Sequence, residues 1–115
     1  MLVRHNSFVG HLKVVNLLSL TSKFEFIDHE QNIYRSDGST FAQPDLVFRY
    51  KDRLVYVEVK TDQKGHRSIL NKQCIKLANM KGKKTVLGFL YDMETKKVSL
   101  HVGYGYKVDE IKKLI

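Results

Sequence analysis

Asp45, Glu58 and Lys60 stand out because each is a charged residue inside a stretch otherwise built to form apolar strands, "PDLVFRYKDRLVYVEVK" (44–60). Side chains alternate across a strand, so Leu54, Tyr56, Glu58 and Lys60 share one face, and Val55, Val57 and Val59 share the other. Glu58 and Lys60 therefore project together, about 7 Å apart at their backbones. Pro44 is tolerated where a strand begins and stiffens the approach to Asp45. If 45–50 and 53–60 pair through a turn at Lys51-Asp52, Asp45 faces the Glu58–Lys60 end. Two carboxylates held close repel and raise each other's pKa, and a hard divalent cation relieves that repulsion. Oxygens from Asp45, Glu58 and the Val59 carbonyl, with water, suit Mg²⁺ or Mn²⁺. Lys60 beside such a cation would orient or help deprotonate a bound water, while the metal would neutralise charge building on a phosphate.

The elements needed to position these residues are legible on either side. Residues 7–20, "SFVGHLKVVNLLSL", place Phe8, Leu12, Val15 and Leu18 at helical spacing, with Ser7 as N-cap. "KFEFI" (23–27) alternates as a strand does, and a turn-rich loop with Asp37-Gly38 follows. After the hairpin, "SILNKQCIKLANM" (68–80) is an amphipathic helix with Leu70, Cys74 and Leu77 inward, stopped by Gly82. "TVLGFLY" (85–91) is the continuous apolar run of a strand covered on both faces, and "KKVSLHV" (96–102) alternates again. "KVDEIKKLI" closes the chain as a short helix. The order α-β-β-β-α-β-β-α predicts one α/β domain over 1–115 with a mixed central sheet flanked by helices. The helix between the third and fourth strands is a crossover that makes them parallel.

Composition narrows the chemistry. A chain of 115 residues supports one core. Its net charge of +8 points to a polyanionic partner, nucleic acid above all. Nearly all of that charge lies in 60–84, where eight Lys and Arg residues face Asp62 alone. The single cysteine, Cys74, rules out an intramolecular disulfide and fits a reducing interior. No apolar run approaches the roughly 18–20 residues of a membrane span, and the N-terminus lacks a signal-peptide core, so the expected location is cytoplasmic and away from membranes. The histidines are too scattered for a zinc site, "GYGYKV" (103–108) lacks the context of a phosphate loop, and no Ser/His/Asp arrangement is present.

"PD" followed after a short span by "EVK" resembles the signature of the PD-(D/E)xK nuclease superfamily, and the element order over about residues 7–91 resembles its restriction-endonuclease-like core. The resemblance implies a Mg²⁺-dependent DNA endonuclease that hydrolyses phosphodiester bonds with a metal-activated water. Asp45 and Glu58 would be metal ligands, Lys60 the catalytic lysine, and Gln73 the assisting polar residue of the following helix. Lys64, His66, Arg67, Lys72 and Lys76 would contact the DNA backbone. Many members add an acid from the first helix, which this chain lacks. His11 stands near that place, and Glu25 or Glu30 could substitute. "EVKTD" followed by "NKQ" is compatible with the VRR-NUC type, and Holliday-junction resolvases are the other small members; junction cleavage would imply a homodimer. The alternatives are a non-catalytic DNA-binding module on the same fold, motivated by the missing acid, and the nuclease-like part of a plasmid replication or relaxation protein.

Overall fold

The structure, a computed structural model, describes residues 2–115, with side chains described from Phe8 onward. The chain runs α1 (Leu2–Ser19), β1 (Glu25–His29), β2 (Ile33–Tyr34), β3 (Thr40–Ala42), β4 (Leu46–Tyr50), β5 (Arg53–Thr61), α2 (His66–Ala78), β6 (Thr85–Asp92), β7 (Lys97–Gly105) and α3 (Val108–Leu114). Five strands form a mixed sheet in the order β1-β4-β5-β6-β7, and β2 and β3 form a separate two-stranded ribbon. β4 runs antiparallel between β1 and β5, β5 and β6 are parallel, and β7 returns antiparallel to β6. The α/β class, the mixed sheet and the parallel crossover through α2 are as the pattern predicts.

Three details differ. Helix α1 begins at Leu2, so Ser7 lies inside it and is not its N-cap. The loop after the first strand contains the β2–β3 ribbon with Asp37-Gly38 at its tip, where Gly38 takes a φ of 90°. Two- and three-residue strands are too short to carry an alternation signal. Helix α2 ends at Ala78 with Asn79 as its cap, ahead of Gly82, which serves the next turn with a φ of 100°.

Two apolar layers hold the sheet. On one face Val14 and Leu18 of α1 and Ile111 of α3 pack on Phe48, Val55, Val57, Leu87 and Phe89. On the other, Leu70, Cys74 and Leu77 of α2 pack on Val47, Tyr56, Val86 and Leu90. The valine face of β5 thus lies under α1 and α3, and the Tyr56–Glu58 face under α2. Phe8 and Leu12, which helical spacing grouped with the core, are 61% and 46% exposed, because α1 buries the Val14–Leu18 stripe instead.

The β4–β5 hairpin closes on Lys51 and Asp52, both left-handed with φ of 47° and 64°, between the paired residues Tyr50 and Arg53. That primed two-residue turn matches the twist of the strands and fixes their register. Leu46 pairs with Val57, so the residue before β4, Asp45, comes level with Glu58.

Candidate functional site

A cleft of about 1070 Å³ opens where β4 begins and β5 approaches its end. Asp45, Glu58, Val59 and Lys60 form its floor, α1 and β1 one side, and Gln73 and Lys76 of α2 the other.

Asp45 is anchored by the backbone. Its Oδ2 accepts a hydrogen bond from the Val59 N–H at 2.8 Å, and its own carbonyl accepts the Glu30 N–H at 3.0 Å. The N–H and C=O of a strand residue point to the same neighbour, so the Val59 carbonyl also faces this end, beyond the last β4–β5 pair. Glu58 is only 7% exposed. Burial, then the negative charge of Asp45, then a hydrogen bond between the two carboxyl groups raise its pKa to about 9, and Lys60 opposes the shift. Such a carboxyl beside another is the reverse of a solvated surface pair: its surroundings favour the protonated form, and a nearby cation would favour the charged one.

Two close approaches bring the helices to the floor. Gly88 of β6 is level with Glu58, and a Cβ there would lie 2.9 Å from Cys74 Sγ and 3.1 Å from Leu70 Cγ. Only glycine lets α2 settle so near the sheet, which covers Glu58 and brings Gln73 to the cleft. On the opposite face a Cβ at Gly10 would meet Val59 and Tyr91 at 3.3 Å, so α1 also approaches closely. Its neighbour His11 consequently places Nε2 3.7 Å from Asp45 Oδ2.

Gln73 Oε1 is buried with no hydrogen-bond partner among the described residues. A buried orphan acceptor is unfavourable by about 1–3 kcal/mol unless a ligand satisfies it. With two carboxylates and the Val59 carbonyl it makes a set of hard oxygen donors, which fits a divalent cation such as Mg²⁺ or Mn²⁺. Among the described residues no three His, Cys, Asp or Glu side chains already converge as a cation cage.

Of the residues selected from sequence, Asp45, Glu58, Val59, Lys60, Gln73 and Lys76 meet in this cleft, together with His11 and Glu30. Glu25 does not line it; it is exposed on β1 with Arg49 at 3.7 Å. Between the two candidate acids, Glu30 is therefore the one at the site, held with a φ of 51° by its bond to Asp45. Lys64, His66, Arg67 and Lys72 lie outside the cleft lining. Arg67 is paired with Asp62 at 3.0 Å, and His66 Nδ1 lies 2.8 Å from the Thr61 carbonyl. Lys84 is buried and donates to the Met80 and Gly82 carbonyls, so the 60–84 segment presents less free charge than its composition suggests. Lys76 is steadied 4.8 Å over the Phe41 ring supplied by the β2–β3 ribbon.

Sequence reasoning missed Phe8, Leu12, Phe26 and Gln43 as lining residues. Gln43 donates to the Glu30 carbonyl and to Asn32 Oδ1, closing the loop beneath the site. Nothing local in the sequence marks these positions, since their role follows from which stripe of α1 is buried. No family model matches the chain, and no curated protein matches it.

Proposed function

We propose that the chain is a divalent-cation-dependent endodeoxyribonuclease on a restriction-endonuclease-like, PD-(D/E)xK core. The observation that carries this reading is the buried Glu58 carboxyl against Asp45, in an open cleft shared with Lys60 and a Gln73 oxygen that has no hydrogen-bond partner among the described residues. The order of a helix, three antiparallel strands, a crossover helix and a parallel strand supports it too. Asp45, Glu58, the Val59 carbonyl and Gln73 would hold Mg²⁺ or Mn²⁺. When bound, the cation neutralises charge on a phosphodiester and lowers the pKa of water. Lys60 donates to a phosphate oxygen and orients the attacking water, and Lys76 holds a neighbouring phosphate. The net charge of +8 favours DNA as the polyanion.

The test is incubation with supercoiled plasmid and a synthetic four-way junction in Mg²⁺, Mn²⁺ or EDTA, with Lys60→Ala alongside. Metal-dependent cutting that the alanine removes is expected; cutting of the junction would add a symmetric homodimer to the reading. A second reading, a DNA-binding module that does not cut, is favoured by His11 standing at Asp45 where an acid would complete the set. Salt-sensitive binding that is equal in EDTA, with no nicking in any metal, would decide for it.

A further inference from the structure

The cleft has two chemically different sides. Opposite Lys60 and Lys76 stands an apolar side made by Phe8 and Leu12 of α1 and Phe26 of β1. Phe8 is 61% exposed and Phe26 42% exposed, the latter touching Phe48 only through an edge contact at 5.5 Å. Rings left in water beside a cationic edge suit a ligand that is both anionic and flat-faced. Within a paired duplex the base faces are stacked away and only backbone and groove edges are presented. An unpaired nucleotide offers a phosphate and a free π-face together.

We propose that this cleft binds DNA through unpaired nucleotides, with a splayed base against Phe8 and Phe26 while Lys60 and Lys76 hold the flanking phosphates. The proposal rests on the reading of DNA as partner and is independent of whether the DNA is cut. Lys76 lies over the Phe41 ring, a contact that favours its place at the cationic edge. Val15 of α1 also lines the cleft.

The test is fluorescence anisotropy in EDTA, where no cleavage intervenes, comparing labelled oligodeoxythymidine with a duplex of the same length. Phe8→Ala, Phe8→Tyr and wild type are compared, and thermal melting verifies that each is folded; Phe8 is exposed enough for its replacement to leave the core intact. The single strand is expected to bind tighter than the duplex, Phe8→Ala to weaken single-strand binding about tenfold with little effect on the duplex, and Phe8→Tyr to restore it. Equal or tighter duplex binding, or no effect of Phe8→Ala, overturns the proposal and leaves DNA as the partner. Absence of binding to either probe overturns DNA as the partner as well. A dimer that Phe8→Ala converts to monomer without changing DNA affinity also overturns it, because Phe8 then covers a second copy of the chain.

Discussion

Strands β5 and β6 lie side by side, parallel and both covered by helices, yet they handle burial in opposite ways. In β6, Thr85 through Tyr91 are buried, and none of their side chains carries a charge; the one at Thr85 is a hydroxyl that donates to the Tyr106 carbonyl. In β5 the buried run from Val55 to Val59 contains Glu58, on which the Asp45 carboxylate acts more strongly than Lys60 does. Gly88 and Glu58 sit level with each other, so the two strands meet where one gives up its side chain and the other buries a charge-bearing one. An apolar residue at 58 would hold the fold better. A buried acid set against a second carboxylate, with Lys60 only partly offsetting the repulsion, is the kind of local conflict that marks a functional position.

That contrast can be broken at Lys60, Gly88 or Glu58. The largest expected effect is on catalysis: Lys60→Ala should lower cleavage by about 10²- to 10⁴-fold while the melting temperature barely moves, measured by plasmid nicking and thermal denaturation. Gly88→Ala should come next. Its methyl would lie 2.8 Å from Val102 Cγ2 and 2.9 Å from Cys74 Sγ, inside a packed core. Forcing α2 away should destabilise the fold by about 1–3 kcal/mol in chemical denaturation.

The remaining effect concerns Glu58 itself, is confined to the higher pH range and has a defined sign. Its folded pKa is raised from 4.5 to about 9, so the native state binds the extra proton and stability falls as pH rises through that window. Glu58→Gln keeps the shape without the titration. In EDTA it should lie close to wild type near about pH 5 and exceed it increasingly as pH rises toward about 8, by at most about 1.4 kcal/mol for each pH unit. A variant less stable than wild type at the higher pH would show that Glu58 is not held protonated by its surroundings.

Much of this was legible in the sequence for a physical reason. Alternation fixed the faces of β5, and the Lys51-Asp52 turn fixed its register, so the meeting of Asp45 with Glu58 and Lys60 followed from local rules. Helix α2 announced its inner stripe, Leu70, Cys74 and Leu77, and with it the place of Gln73. Helix α1 did not, because Phe8, Leu12, Val14, Val15 and Leu18 offer more than one apolar stripe and only packing on the sheet selects among them. The choice of Glu30 over Glu25 was equally hidden, since it depends on a backbone bond from Glu30 to Asp45 across the end of β1. Charge counting overstated the free cations of 60–84, as composition cannot reveal that Arg67 and Lys84 already have partners.

The most direct test is thermal melting of wild type, Asp45→Asn and Glu58→Gln across about pH 6 to 9, with and without Mg²⁺ or Mn²⁺. A cation that must displace the Glu58 proton raises the wild-type melting temperature, by more as pH rises, and leaves both variants unmoved. No cation-dependent shift at any pH, or one that persists in both variants, would contradict the reading of Asp45 and Glu58 as a cation site.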